Sequence, residues 1–428
     1  MEKRTQMKQT VLYVVACGLS LSVYGQVDPG PRRGPTTAGK SVAGATVGEM
    51  LIFEEGKDAF NEVDNVVNGL GPRFNLDGCA GCHAQPTVGG SAPAVNPQIA
   101  AGLKWGAVNR IPPFIRPDGP AMAVRFKQKP DGTPDGGVHS LFVITGRADA
   151  PAGCNIQQED FSRRDNLTFR IPTPLFGLGL IESISDDGLR ANLAFNSNRK
   201  LGMGIRGRFN TNGNDGTISR FGWKAQNKSL MIFSGEAYNV EVGVTNELFP
   251  NERDGNKVCT SAKASPEDHA DLERRDYSDV EKFAVFMRYL DGPPAAATNP
   301  SVDRGRSIFD STGCTLCHTP QLKTDVVTSA ALSQKSVNLY SDLALHRMGT
   351  GLNDGISQGD AQPDEFRTAP LWGIGERLFL LHDGRSRDLM DAIRQHDGPG
   401  SEAHNVIRSF DLLTREQKQD LLNFLRSL

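Results

Sequence analysis

Two short cysteine- and histidine-containing motifs give this chain its clearest capacity for chemistry. They span Cys79–His83 and Cys314–His318, and both have the pattern C-x-x-C-H. In each motif two thiols stand one short turn apart, where they can add across the two vinyl groups of a haem, and the following imidazole can ligate its iron. The pattern predicts two covalently attached c-type haems.

Chance and other metal sites explain these motifs less well. With 7 Cys and 8 His among 428 residues, random placement would produce only about 0.002 such pentapeptides in the chain. A structural zinc site would need further paired ligands nearby, and none follow either motif. A thioredoxin-like dithiol does not require a histidine directly after its second cysteine.

Length and charge bound the class of protein. A chain of 428 residues has room for two or three domains with sizeable cores. The net charge of the whole chain is −3. The first 26 residues carry a net charge of +2, so the remaining residues are mildly acidic. This composition lacks the basic surface of a nucleic-acid-binding protein, so we expect no nucleic-acid partner.

The N-terminus has the pattern of a targeting signal. A basic start leads into an apolar run from Val11 to Val23, which is too short to span a bilayer, and small residues precede Gln26. We therefore expect a signal peptide at residues 1–25, export to the periplasm, and no transmembrane segment in the mature chain. Cys17 lies inside the apolar run, so we assign it to the signal rather than to a lipoprotein anchor.

Two cysteines remain once Cys17 and the four haem thiols are set aside. They are Cys154 and Cys259. In an oxidising compartment we expect them to form a disulfide. The alternative is a pair of buried free thiols.

A glycine with an aromatic residue one helical turn later precedes each haem motif. The pairs are Gly56-x-x-x-Phe60 and Gly305-x-x-x-Phe309. A glycine in this position lets a second helix cross closely, as the terminal helices of a small cytochrome c domain do.

A capped amphipathic helix follows each haem motif. Ser278-x-x-Glu281 and Thr414-x-x-Gln417 are capping boxes, and each is followed by apolar residues at helical spacing. The matched order indicates an internal duplication. We predict a mainly α fold with two cytochrome c-like haem domains, at residues 48–292 and 298–428, and a flexible linker at 26–47.

The first domain is much larger than a minimal haem domain. Its excess contains strand-like runs, at Val138–Thr145 and Leu230–Phe233, among many Gly, Pro and Asn residues. We therefore expect a long loop- and strand-containing insertion in this domain, either as a small sheet or as a cover over the first haem.

Further segments of the chain carry a resemblance to a known family. They are Phe60–Val63, Gly69–Asn75, Val88–Ser91, Pro174–Leu180, Ala369–Gly373 and Leu381–Arg385. These segments resemble the di-haem oxidoreductase, putative peroxidase family, sometimes labelled thiol oxidoreductase. The resemblance covers nearly the whole mature chain and is distantly shared with bacterial di-haem cytochrome c peroxidases. It implies two haem c groups, a small redox protein or other electron donor, a small-molecule oxidant, and a possible interdomain calcium ion.

The resemblance also suggests the second iron ligands. In the peroxidase relatives a ligand lies on the helix after a His-Asp-Gly segment, and the matching residue here is His396, with Met348 as the alternative. For His346 and His382 we prefer a structural hydrogen bond. No histidine closely follows His83, so we expect an open distal site on the first haem; the alternative is ligation by His139.

Peroxide cleavage requires a group that moves a proton between the two peroxide oxygens, and the peroxidase relatives use a glutamate. Glu182 is our candidate for this role, and Glu159 is a second. The alternative for either is a solvated or ion-paired carboxylate. Trp105, Trp223 and Trp372 include possible relays between the haems, although any of them could simply be core.

These residues support three hypotheses about function. The first is a peroxidase-like enzyme that accepts electrons at the His318 haem and reduces peroxide or another small oxidant at the His83 haem. The second is a non-catalytic electron-transfer protein with two six-coordinate haems. The third is thiol oxidation through Cys154 and Cys259, whose spacing is not that of a dithiol active site.

Overall fold

The computed structural model describes residues 26–33, 36–260, 266–271, 273 and 276–428, so the predicted signal peptide lies outside the described residues. Among the described residues, no helix has the length and apolar character needed to cross a membrane. The helices are α1 (Val47–Asn61), α2 (Cys79–Cys82), α3 (Gln98–Leu103), α4 (Leu178–Glu182), α5 (Asp186–Ala194), α6 (Ser197–Gly202), α7 (Leu230–Ala237), α8 (Asp279–Tyr289), α9 (Pro300–Thr312), α10 (Gly349–Leu352), α11 (Leu389–Arg394), α12 (His404–Asp411) and α13 (Arg415–Ser427).

The strands are short and pair only in antiparallel fashion within the described residues. Strand β2 is the centre of a three-stranded sheet with the order β3-β2-β5, and the other strands form the pairs β1-β4, β6-β7 and β8-β9. The strands are β1 (Arg73–Phe74), β2 (Ala123–Phe126), β3 (Val138–His139), β4 (Phe142–Val143), β5 (Leu167–Arg170), β6 (Leu322–Lys323), β7 (Ser336–Val337), β8 (Leu345–Arg347) and β9 (Glu365–Arg367).

Two crossed helix pairs flank the haem motifs. Helix α1 packs on α8, and α9 packs on α13. Both predicted capping boxes are present, at the starts of α8 and α13. A Cβ atom on Gly56 would clash with the Lys282 carbonyl oxygen, and one on Gly305 with the Asp420 carbonyl oxygen. The close crossings expected from the two Gly-x-x-x-Phe patterns are therefore confirmed.

The two runs between the C-x-x-C-H motifs that we expected to be strands have different structures. The run from Val138 to Thr145 is divided between β3 and β4, which belong to different sheets. The run Leu230–Phe233 is not a strand but the first turn of α7, because the Ser229 side chain accepts a hydrogen bond from the Ile232 main-chain nitrogen and caps a helix there. A run of four apolar residues does not by itself distinguish a strand from a buried helix.

Part of the segment predicted as a flexible linker, residues 26–47, contacts the C-terminal helix α13 and the residue after it. Asp28 forms a buried ion pair with Arg426 in α13, with an N–O distance of 2.7 Å. The Arg32 guanidinium donates to the Leu428 carbonyl oxygen at 2.9 Å. We call residues 26–33 the N-terminal strap.

The long segment between α4 and α7 packs on both halves of the chain. Ile205 belongs to a small apolar cluster with Leu316 and Val406, and Arg208 pairs with the main chain of Leu345 in β8. The segment that we expected only to elaborate the first haem domain therefore also covers the second motif.

Candidate functional site

The first C-x-x-C-H motif lines a cavity of about 1090 Å³, a volume that includes space open to solvent. Helix α2 carries Cys79 and Cys82, and His83 follows at its end. His83 Nδ1 donates a 2.9 Å hydrogen bond to the Gly90 carbonyl oxygen, so its Nε2 is free to ligate a metal. Burial lowers the pKa of His83 to about 4, which keeps the imidazole neutral, as a ligand must be.

The second motif repeats this arrangement at a cavity of about 1340 Å³, again including open space. Cys314, Cys317 and His318 all line it. His318 Nδ1 donates to the Tyr340 carbonyl oxygen at 2.9 Å, and burial lowers the pKa of His318 to about 4. The Nε2 atom of this imidazole is therefore also free, and both motifs present a neutral, oriented histidine.

His396 lines the same cavity as His318. It follows α11 directly, and its Nδ1 donates to the Ala392 carbonyl oxygen at 2.8 Å. Burial lowers the pKa of His396, and the proximity of His396 helps to lower the pKa of His318. The second cavity thus has a neutral imidazole with a free Nε2 at His396 as well as at His318, as bis-histidine ligation requires; burial also lowers the pKa of His382, in the same cavity, to about 4.

The other candidate ligands of the second cavity have different surroundings. Met348 also lines it. Both ring nitrogens of His346 are occupied, with Nε2 2.9 Å from Asp342 and Nδ1 2.8 Å from Glu402. His382 lines the cavity with its ring stacked on Phe366, the centroids 4.3 Å apart. His346 therefore has the structural hydrogen bonds we expected, whereas stacking holds His382.

The first cavity is lined by a different set of groups. Among the described residues around it His83 is the sole histidine, and a carboxylate, Glu241, is present. Glu241 lies in a π-helical turn, Tyr238–Val242, a rare element that often occurs at functional sites. Asn75 donates to its Oε2 at 3.1 Å, and burial raises the pKa of Glu241 above its usual value of 4.5. Sequence reasoning missed this residue because no motif marks a π-helical turn.

A tight loop, residues 222–226, lies where the two cavities meet. Trp223 lines both cavities, and Gln226 lines the first. The Gln226 side chain packs so closely on Gly222 that a Cβ atom there would clash with it. Ala225 adopts a left-handed φ of 50°, a conformation that costs energy for a residue other than glycine. This strained loop therefore positions side chains toward both sites.

The structure places the other sequence candidates outside the two cavities. Glu182 accepts hydrogen bonds from the Leu230 main-chain nitrogen at 2.9 Å and from Arg288 Nε at 2.8 Å, so it caps α7 and pairs with α8. His139 lies between Glu159, at 2.5 Å, and Asp135, at 3.1 Å. Burial alone would lower the pKa of His139, but these two carboxylates raise it overall.

The remaining predictions also have definite locations. Cys154 and Cys259 are bonded to each other, which confirms the expected disulfide. Trp105 is 48% exposed, and Trp372 is buried. Among the described residues, the sole compact group of three potential metal ligands is Cys317, Asp342 and His346. That group includes a motif thiol, so it gives the possible calcium ion no support.

Comparisons with known proteins give one match to a family. The sequence pattern of the family described as di-haem oxidoreductase, putative peroxidase matches residues 129–428, downstream of the first C-x-x-C-H motif. No curated protein sequence matches the chain.

Several solved structures are similar to parts of the chain. Hydrazine synthase from Kuenenia stuttgartiensis is 21% identical over 37% of this chain and 58% of its own, with a TM-score of 0.23. The diheme peroxidase BthA from Burkholderia thailandensis is 15% identical over 49% of this chain and 65% of its own, with a TM-score of 0.31. A MauG-like protein associated with microbial copper homeostasis is 17% identical over 66% of this chain and 95% of its own, with a TM-score of 0.31. The chain thus spans less than two thirds of the first two proteins.

Proposed function

Because the chain belongs to the di-haem oxidoreductase, putative peroxidase family, we propose that it is an exported two-haem c-type enzyme that reduces peroxide. The observation that carries the proposal is the difference between the two cavities. The second has more than one histidine, including the neutral imidazoles of His318 and His396, whereas the first has His83 as its sole described histidine, together with the carboxylate of Glu241. One site is thus built to relay electrons and the other to react.

The residues present fit two covalently attached haems. Each cavity has two thiols on one short turn and a neutral histidine whose Nδ1 is fixed by a carbonyl oxygen. Burial raises the pKa of Cys79, as it does that of Cys314, so the unattached thiols would be protonated in an apolar surround. Haem, when bound, supplies an iron that can exchange electrons and accept an exogenous ligand.

Glu241 is the residue we assign to proton movement in the first cavity. Because burial raises its pKa, its carboxylate is a stronger base than that of an exposed glutamate, and it can accept a proton from one peroxide oxygen and return it to the other. The Gln226 side chain lines the same cavity, and its Oε1 has no hydrogen-bond partner among the described residues. An amide in that position can orient a bound oxygen ligand.

The second cavity is the proposed entry point for electrons. His318 and His396 would saturate the iron, which favours electron transfer over binding of an oxidant. Trp223, which lines both cavities, is the natural relay between them. A small redox protein or another donor would supply the electrons.

Spectroscopy of the purified holoprotein tests the assignment of the two sites. We expect mass corresponding to two attached haems, with one low-spin and one high-spin iron by EPR. Peroxide should then oxidise a reduced small donor protein only in the presence of the enzyme. Two low-spin irons with no turnover would refute the catalytic proposal and favour the electron-transfer alternative.

A pair of matched variants tests the role of Glu241. Glu241→Gln should lower peroxide turnover by about 10²-fold or more while the haem spectra stay unchanged. Glu182→Gln is the control, because Glu182 lies outside both cavities and contacts α7 and Arg288. Equal losses of turnover in the two variants at equal haem content would contradict the assignment.

A further inference from the structure

Two arginines of the second cavity carry positive charge that no described carboxylate neutralises. Arg367 and Arg377 both line this cavity. Arg367 is 7% exposed, and its guanidinium donates to the carbonyl oxygens of Gly222, at 2.9 Å, and Thr368, at 3.3 Å. Arg377 Nη2 donates to the Pro370 carbonyl oxygen at 3.2 Å. Neither guanidinium has an ion-pair partner among the residues that the structure describes.

The other ionisable groups at this cavity do not fill that role. Glu402 lies 2.8 Å from His346, and this histidine also pairs with Asp342. The side chains of Glu402, His346 and Asp342 therefore pair with one another and not with the arginines. The two arginines are left facing the cavity, and each is close enough to the other that the charge of Arg377 disfavours protonation of Arg367.

The energetics call for an anion. An unpaired charge in a protein interior is strongly unfavourable, and the cost is recovered only when a counter-charge lies in good geometry. Burial lowers the pKa of Arg367 and of Arg377 to about 10, so both stay cationic at neutral pH. A haem carries two propionate groups, and planar guanidinium is the side chain best matched to carboxylate.

We propose that Arg367 and Arg377 bind the propionates of the second haem, and that Arg367 also links this haem to the first site. The proposal rests on the two-haem function argued above. Besides its side-chain bond to Gly222, the Arg367 main-chain nitrogen donates to the Trp223 carbonyl oxygen at 2.9 Å. Both acceptors belong to the strained loop that carries Gln226 into the first cavity.

The two arginines therefore have separable effects. A cation beside a propionate favours the reduced, less positive haem, so its removal should lower the midpoint potential of the second haem. The Arg377 side chain has no bond to the strained loop among the described residues, whereas the Arg367 side chain donates to Gly222 in that loop. Only a change at Arg367 should also alter the first haem.

The experiment uses the holoprotein with the variants Arg367→Gln, Arg377→Gln and their Lys counterparts. Spectroelectrochemistry should show a lower midpoint potential of the low-spin haem in both Gln variants and a smaller shift in the Lys variants. Resonance Raman should show a displaced propionate bending band in both. The EPR signal of the first haem should change in Arg367→Gln and stay as in the parent in Arg377→Gln.

Arg220→Gln is the matched control. Arg220 is also buried, at 6% exposed, but it pairs with Asp186 and lines neither cavity. It should leave the potential and the propionate band unchanged. If the Gln variants at positions 367 and 377 fail to attach haem while the Lys variants succeed, the requirement for positive charge is supported; equal failure of both would overturn it.

The remaining outcomes separate this inference from the proposed function. A parent protein without two haems removes the function and the inference together. A parent with two haems, whose second potential is unaffected in both Gln variants, removes only the propionate assignment. An unaltered first haem in Arg367→Gln removes only the link between the sites.

Discussion

Substitution of Gly56 tests whether the crossing of α1 and α8 holds the first haem ligand in place. A Cβ atom on Gly56 would lie 3.1 Å from the Phe286 Cβ and main-chain nitrogen atoms, and closer still to the Lys282 carbonyl oxygen. Ordinary contact begins at 3.4 Å, so the interface must widen by more than 0.3 Å. Overpacking of this kind costs about 1–3 kcal/mol, whereas replacing glycine with alanine in a helix gains about 1 kcal/mol.

The net expectation for Gly56→Ala is a loss of up to about 2 kcal/mol in the free energy of unfolding. The effect should reach the haem, because Phe60 lies one turn further along α1 with its ring centroid 5.9 Å from that of His83. We therefore expect a changed absorption spectrum of the first haem as well as a lower melting temperature.

The same helix contains its own control. Gly48 has no atom within 4 Å of an added Cβ, so Gly48→Ala should keep or raise the stability by up to about 1 kcal/mol. Denaturant unfolding of the two holoprotein variants, followed by circular dichroism and by haem absorption, measures the difference. If Gly56→Ala proved as stable as Gly48→Ala, the two helices would not cross where the structure places them.

Four further expectations concern single groups. Turnover should fall as the pH drops through the raised pKa of Glu241, because protonation removes the base; a pH profile flat above 4.5 would contradict this. His396→Ala should convert the second haem to high spin, seen by EPR, and an unchanged low-spin signal would favour another ligand such as Met348. His139→Gln should cost about 1.5–3 kcal/mol of stability without altering either haem spectrum; because the pKa of His139 is raised, the contribution of its imidazolium should be full below the unfolded pKa and disappear as the pH rises through the folded one. Reduction of the Cys154–Cys259 disulfide should lower the unfolding free energy by about 2–4 kcal/mol, and no loss in denaturant titration would show that it is dispensable.

Local patterns allowed the helical frame to be predicted from sequence. The capping boxes at Ser278 and Thr414 involve residues within one helical turn. The pattern of a glycine one turn before an aromatic residue depends on contact with only one neighbouring helix. The disulfide followed from counting cysteines. Each of these features depends on few residues and little tertiary context.

The site needed information that sequence spacing does not contain. Glu182 and Glu241 both lie in helical segments between the two C-x-x-C-H motifs, and only the fold determines that Glu182 caps α7 while Glu241 lines the first cavity. Arg367 points to an anion site only after the structure shows that its guanidinium donates to carbonyl oxygens and pairs with no described carboxylate. The apolar run at Leu230 was misread because a cap, and not the run itself, decided its conformation.

The N-terminal strap has a consequence for the order in which the protein matures. A chain is made from its N-terminus and its units fold as they emerge, yet Asp28 pairs with Arg426 in the last helix, 398 positions along the chain. This bond cannot close until synthesis of the chain has reached Arg426. The first C-x-x-C-H motif, at residues 79–83, is therefore synthesised well before the N-terminal strap can pair with Arg426.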